Sequence, residues 1–446
     1  MRIMHYFLGF SPYRTGGLTK YVMDLMKSQV LDGHVVMALW PGEIKLLAKK
    51  TYIKQRINID GIIDYELINP LPVSLDEGIK DFNEYMKPCD KKVYTVFLSK
   101  TKPDVIHIHT LMGLHREFID VAGELELKTV FTTHDYFGIC PKVTLFHFGT
   151  ACENDYGCGE CVRCNETALS MKKIYVMQSP LYRMLKNSSV VKALRKKHRT
   201  DFFAEEKISN SEIENVERGS EPYKFLRAYY INMLEKIDLI HFNSSVSESI
   251  YKRYLKPKSG KVLSITHKDI ADHKEECSWK ADKKLRITCL APAKPFKGFN
   301  ILKNALDDIW NSGNHEFVLN LYSPVRDTSD YMNIKEEGFV YSELKFIMEK
   351  TDILVAPSMW YETFGFTVLE AISYGVPVIV SDHVGAKDVI GTGGIIVKAG
   401  NVEQLKQAIL SLDREKLLSL RKEIIKNVPI KLWSKLVKQT YQLYIE

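Results

Sequence analysis

Two glutamates eight positions apart, Glu362 and Glu370, stand where an apolar run gives way to a helical pattern. Residues 352–356 read as a buried strand that stops at Pro357, and a helix is expected from near Phe366. Were both glutamates helical, they would lie ~12 Å apart along the axis and ~80° apart around it. That is a poor geometry for a coupled acid and base. It suits two separate anchors on one extended ligand, because a carboxylate accepts from vicinal hydroxyls. Between them, Phe364-Gly365-Phe366 opens the helix. Free N–H groups at a helix start favour a phosphate, and Gly365 allows close approach. A strand, a loop and a helix carrying two surface glutamates is the plainer alternative.

Other residues could join such a site. Lys297, in Phe296-Lys297-Gly298-Phe299, could neutralise a diphosphate or be a solvated loop lysine. Gly16 and Gly17 follow the first apolar run and precede a helix. There they would bring backbone N–H groups to a ligand or make an ordinary tight turn. His134 follows an apolar run and should sit at a strand's carboxyl end, facing a cleft, or be a structural histidine. His109 ends another run and could face the same cleft. Asp135 could orient His134 or cap the next segment.

The elements that must position them repeat. Strands are expected at 2–10, 34–39, 105–109, 128–133, 239–242, 286–290, 317–322, 353–356 and 376–380. Helical patterns at 18–31, 225–236 and 367–374 lie between many of them. Such alternation implies parallel sheets covered on both faces. The strands fall into two groups with a charge-rich junction between, so two doubly wound α/β domains should face a central cleft.

The motif around Glu362 and Glu370 resembles the E-x7-E signature of retaining glycosyltransferases of GT-B architecture, most closely family 4. Further landmarks follow in that family's order. They are Thr15-Gly16-Gly17-Leu18, Asp104 to His109, Thr133-His134-Asp135-Tyr136, the Lys297-Gly298 pair, Gly375 to Asp382, and Val384-Gly385-Ala386. The resemblance implies two Rossmann-like domains. An acceptor-side domain would span 1–265, with an insertion at about 150–223. A nucleotide-sugar domain would span 266–428, and a helix at 429–446 would cross back with Trp433 packing. It implies that Glu370 binds the donor ribose, Glu362 contacts the donor sugar and Lys297 neutralises the diphosphate. Gly16, Gly17, Phe364, Gly365 and Phe366 would line the donor, and His134 would sit near the transferred sugar. Catalysis would need no cofactor. The family usually carries an arginine five or six residues before the lysine; here those positions are Pro292 and Ala291. Lys294 is the nearest cation, and it lacks the planar fork of a guanidinium.

The segment 150–223 interrupts the alternation. Cys152, Cys158, Cys161 and Cys164 follow C-x5-C-x2-C-x2-C, with Cys140 upstream. A structural zinc, a disulfide or redox role, and buried free thiols are all open readings. Residues 171–200 hold nine Lys or Arg and no Asp or Glu, with apolar residues interleaved. That is either a solvated helical face or a basic amphipathic surface for anionic lipid.

Composition sets the outer bounds. The 446 residues are 45% hydrophobic and 26% charged. This excludes a disordered chain and a disulfide-stapled miniprotein. The net charge of +7 is mild for this length, and no nucleic-acid motif accompanies it. No run approaches the ~18–20 apolar residues of a membrane span, and the N-terminus reads as a strand rather than a signal peptide. The expected protein is a cytoplasmic enzyme, peripheral at the inner face of the plasma membrane. It would use a nucleoside-diphosphate sugar to extend a lipid-linked glycan for surface polysaccharide. A non-catalytic nucleotide-sugar-binding protein and a GT-B-fold nucleotide-sugar epimerase are the alternatives.

Overall fold

A computed structural model describes the chain except residues 12, 15, 46–49, 154–155, 190, 194–215 and 281–282. The first half builds one sheet. In chain order its strands are β1 (Arg2–Tyr6), β2 (Val35–Pro41), β3 (Tyr52–Gln55), β4 (Ile63–Ile68), β5 (Val105–Ile108) and β6 (Lys128–Thr132). A small hairpin, β7 (Phe146–His147) with β8 (Thr150–Ala151), stands apart. The sheet resumes with β9 (Leu239–Phe242) and β10 (Gly260–Val262). Its spatial order is β10-β9-β6-β5-β1-β2-β4-β3, parallel except for β3. The second half builds a parallel six-stranded sheet from β11 (Leu285–Cys289), β12 (Phe317–Leu321), β13 (Met332–Ile334), β14 (Ile353–Ala356), β15 (Val378–Ser381) and β16 (Gly394–Val397). Its order is β13-β12-β11-β14-β15-β16.

The central strands are continuous buried runs. Val-Ile-His-Ile in β5, Ile-Leu-Val-Ala in β14 and Val-Ile-Val-Ser in β15 are buried at every residue. Helices on both sheet faces require this, since neither side of a central strand meets water. The helix Gly17–Leu31 shows the matching stripe, burying Tyr21, Val22, Leu25, Met26 and Gln29 against the sheet. It ends at Gly33, whose φ of 82° turns the chain into β2.

The expected strands are present, most of them one or two residues shorter at an end. The N-terminal run stops at Tyr6 rather than Phe10, because Phe7 already leaves the ladder to pack in the apolar cluster between the halves. Strands β3, β4, β10, β13 and β16 were not anticipated. Most are short or edge strands whose residues are only partly apolar.

The two halves are tied together. One apolar cluster runs from Phe7, Tyr21 and Leu25 to Phe364, Val384, Trp433 and Leu436. The last helix, Trp433–Ile445, lies on the first sheet's side, where Trp433 Nε1 donates to Ser28 Oγ at 2.8 Å.

Candidate active site

The loop after β14 and the turn after β11 are stitched together by backbone. Phe296 O accepts from the amides of Met359 and Trp360 at 2.9 and 3.1 Å. Gly298 makes this possible: its φ is 77°, and a Cβ there would stand 1.9 Å from Pro357 O. The stitching delivers Lys297 to Glu362, with Nζ 2.7 Å from Oε1. Ser358 Oγ donates to Glu362 Oε2 at 2.7 Å, and the Lys297 ammonium lies 4.9 Å above the Trp360 ring. Burial by itself would raise the Glu362 pKa. The Lys297 charge and these hydrogen bonds outweigh it and hold the carboxyl below its ordinary value.

Gly365 has φ 104° and begins the helix Phe366–Ser373, which has no side-chain cap. A Cβ at Gly365 would lie 3.6 Å from the Glu362 carboxyl carbon, so the helix start adjoins that carboxylate. Phe364 is buried in the inter-half cluster, so only its backbone is available to a ligand. One helical turn past Phe366, the buried Glu370 meets His267, whose Nε2 lies 3.2 Å from Oε1. The Phe366 and Tyr341 rings pack edge-on against His267.

The first half meets this assembly from the other side. Thr363 Oγ1, one residue past Glu362, donates to His134 O at 3.2 Å. Ser244 Oγ donates to Thr363 O at 2.6 Å. His134 stands at the carboxyl end of β6, half-buried, with its ring 4.9 Å from that of Tyr21. The packing around it lowers its pKa to about 3, so it is neutral at pH 7. Burial raises Asp135 to about 6. Gly16 and Gly17 are exposed, and a Cβ on either would meet nothing within 4 Å. Gly16 has φ 130°, which demands glycine. The same helix carries Lys20, which pairs with Asp269 two residues from His267. The structure thus brings Gly16, Gly17, His134, Lys297, Glu362, Gly365 and Glu370 around one inter-domain region. His109 is not exposed to it. It is fully buried and touches His134 from behind, Nδ1 to Nε2 at 3.2 Å. Lys294 packs over Phe296 at 5.4 Å.

The cysteines form no comparable site. Cys140, Cys152, Cys161 and Cys164 line one small cavity with Arg227, whose Nη2 is 3.5 Å from Cys161 Sγ. The Cys158 thiol beside it, and burial, push the Cys161 thiol up. Tetrahedral zinc with bonds of about 2.3 Å would hold its sulfurs about 3.8 Å apart. Among the described residues, no three of these sulfurs lie within 4.8 Å of one another. As placed, they do not fit that metal.

The basic segment divides. Arg183 is half-buried, donating to the buried Glu66 at 2.6 Å and stacking on Tyr13 and Trp40. Lys186 is buried over Tyr13. Lys172, Lys173 and Lys192 are exposed, as are Val176, Met177, Leu181, Met184 and Leu185. Arg195, Lys196, Lys197 and Arg199 lie outside the described residues. Among the described residues no helix is long and apolar enough to cross a membrane.

The whole chain superposes on solved structures. The sucrose-phosphate synthase of Thermosynechococcus elongatus superposes with a TM-score of 0.55, covering 100% of this chain and 98% of that one at 15% identity. HepE of Anabaena, solved with UDP and glucose, gives 0.53 over 100% and 99% at 12% identity. The fold is GT-B. Residues 332–430 of this GT-B chain match the family described as glycosyl transferases group 1, a stretch that includes Glu362 and Glu370 but not Lys297. A curated relative, O-antigen chain mannosyltransferase B of Escherichia coli, is 35% identical over 78 residues. These are 17% of this chain and 20% of that protein, so the match spans about a fifth of the relative's length.

Within the GT-B cleft, sequence reasoning missed His267 and Ser358. Neither has a local signal. His267 lies in the inter-domain junction, 103 positions before Glu370, and only the fold pairs them.

Proposed function

We propose that this GT-B protein is a retaining glycosyltransferase. It moves a sugar from a nucleoside-diphosphate sugar to a hydroxyl of a glycan acceptor, in surface polysaccharide assembly. The observation that carries the reading is the Lys297–Glu362 pair beside the uncapped helix start at Gly365. A cation and a helix start suited to a diphosphate, beside a carboxylate suited to sugar hydroxyls, support it. Glu370, one turn deeper, takes the ribose hydroxyls. His134, neutral, faces the transferred sugar from the opposite domain. The glycosyl group transfers and nucleoside diphosphate leaves. The bond from the sugar's anomeric carbon to the diphosphate breaks as the bond to the acceptor oxygen forms on the same face. The acceptor's proton passes to the departing diphosphate. The protein supplies positioning and stabilises the negative charge that develops on the leaving group.

The exposed apolar residues from Val176 to Leu185, flanked by Lys172, Lys173 and Lys192, support a lipid-linked acceptor held at an anionic membrane face. The matched stretch of the mannosyltransferase supports a polysaccharide pathway.

A thermal-shift panel of uridine, guanosine and adenosine diphosphates and their sugars tests the donor site. One nucleotide series should raise the melting temperature of the wild type and leave Glu370→Ala unmoved. Stabilisation by none of them in a folded sample overturns the reading. Release of free nucleoside diphosphate with an acceptor extract then separates an enzyme from a sensor, which would bind donor without consuming it.

A further inference from the structure

Five histidines of the first sheet converge in its interior. In the ladders His5 stands opposite His107, and Thr132 opposite His241. His5, His107, His109 and His241 are fully buried, as are Thr132 and Gln29. Their side chains join in one unbranched chain of hydrogen bonds that ends at His134.

The direction of every bond in it follows from one end. His241 Nε2 lies 2.7 Å from Leu263 O, and a carbonyl can only accept. Nε2 therefore carries hydrogen. In neutral imidazole Nδ1 is then an acceptor, so the Thr132 hydroxyl donates to it at 2.9 Å. Thr132 Oγ1 is left to accept from His107 Nε2–H at 2.7 Å. His107 Nδ1 accepts from the Tyr444 hydroxyl at 2.7 Å. The Tyr444 oxygen accepts from the Gln29 amide NH2 at 3.1 Å, which turns Gln29 Oε1 toward His5. His5 Nε2–H donates to that oxygen at 2.7 Å. His5 Nδ1 accepts from His109 Nε2–H at 3.0 Å. His109 Nδ1 accepts from His134 Nε2–H at 3.2 Å. His134 Nδ1 is left as a lone pair.

We propose that this chain locks His134 in its Nε2–H tautomer, so that it meets a substrate hydroxyl with Nδ1 as acceptor. The proposal rests on the reading of His134 as a donor-site residue. It makes His109, His5, Gln29, Tyr444, His107, Thr132 and His241 positioning residues. It also specifies the group His134 selects. A lone pair accepts from a hydroxyl and repels a carboxylate or phosphate oxygen, so the sugar must present a hydroxyl at that point. The chain is not a proton exit. A proton taken up at His134 and passed along it would arrive at the Leu263 carbonyl, which cannot keep it. Nor are His5, His107 and His109 free to hold a metal, although their ligand atoms lie within 4.8 Å of one another. All six of their ring nitrogens are already bonded. Burial agrees with a neutral chain: His5 and His241 are lowered to about 4, and His107 and His109 well below their ordinary value.

The test needs no substrate. In the full chain labelled with 15N-histidine, two-bond proton–nitrogen correlations at pH 7 should show all five histidines protonated at Nε2 only. An Nδ1–H signal or an imidazolium at His134 or His109 overturns the proposal. Thr132→Val removes the link to the anchored end, and His134 should then show both tautomers; Thr132→Ser should restore one. If Thr132→Val does not fold, Tyr444→Phe breaks the next link with the same expectation. A single unchanged tautomer in a folded Thr132→Val or Tyr444→Phe protein refutes the lock, and so does a zinc-induced shift of the His5, His107 or His109 nitrogens. With a donor in hand, Thr132→Val should lower kcat about tenfold with KM little changed. Failure of the donor reading would remove that kinetic arm and leave the spectroscopic one standing.

Discussion

Lys297 and Glu362 are 65 residues apart in sequence and 2.7 Å apart in space, with Trp360 beneath the ammonium. Each neutralises the other. Removing one leaves the other poorly solvated and unpaired. Lys297→Ala should therefore raise the Glu362 pKa and weaken nucleoside-diphosphate binding by at least about tenfold, roughly 1.4 kcal/mol. Glu362→Gln should keep diphosphate binding and lose turnover. Titration calorimetry with the diphosphate and with its sugar separates the two. Equal affinity of Lys297→Ala and wild type would remove the lysine from the donor site.

Glu370 Oε1 lies 3.2 Å from His267 Nε2. Substituting His267→Gln keeps a hydrogen-bond donor beside the carboxylate, and His267→Leu does not. The first should bind nucleotide within a few-fold of wild type. The second should lose about tenfold or more, because it leaves a buried carboxylate without its partner. If His267→Leu binds normally, Glu370 is held by something other than His267.

The buried histidines set the acid limit of the fold. Unfolded histidines titrate near 6.5. Folded His5, His115 and His241 titrate at about 4 and His134 at about 3. Between those values the unfolded chain binds more protons, so stability is full above pH 6.5 and falls as pH drops. Asp135, raised to about 6, works the other way by a single proton. The melting temperature should be flat from pH 8 to 7 and fall steeply between 6.5 and 5. A melting temperature that holds down to pH 5 would contradict the buried neutral state of these rings.

The turn carrying Lys297 depends on a residue with no side chain. In Gly298→Ala the new methyl would overlap Pro357 O, at a φ of 77° that alanine resists. The expected loss is about 2–4 kcal/mol of stability, or a displaced turn that abolishes nucleotide binding. Chemical denaturation distinguishes these outcomes. A variant with wild-type stability and affinity would show that the turn is not fixed by this contact.

Much of this was legible in the sequence, and the rest was hidden for definite reasons. The apolar runs at 353–356 and 239–242 gave their strands to the residue, because buried parallel strands leave no polar interruption. Glu362 and Lys297 were legible as chemistry because each sits just before a helix begins, and Glu370 because it lies one turn inside the helix that follows Glu362. Their pairing was not: it depends on β11 lying beside β14 in the sheet order. His109 illustrates the limit most clearly. Its place at the end of a strand suggested the cleft, but His134 from the neighbouring strand stands in front of it. The histidine chain was invisible for the same reason, since its members come from four strands, a helix and the last residues of the chain.

Those last residues bear on how the molecule is made. Tyr444 fills a place inside the first sheet's histidine chain, and Trp433 packs against the helix that follows β1. During synthesis, β1, β5, β6 and β9 all leave the ribosome well before either residue exists. The hydrogen bonds of His107 Nδ1 and the Gln29 amide to Tyr444 can therefore form only after the whole second domain has been translated. Domain-by-domain folding, the usual route for a two-domain chain, leaves the first domain's hydrogen-bond chain open until the last helix docks.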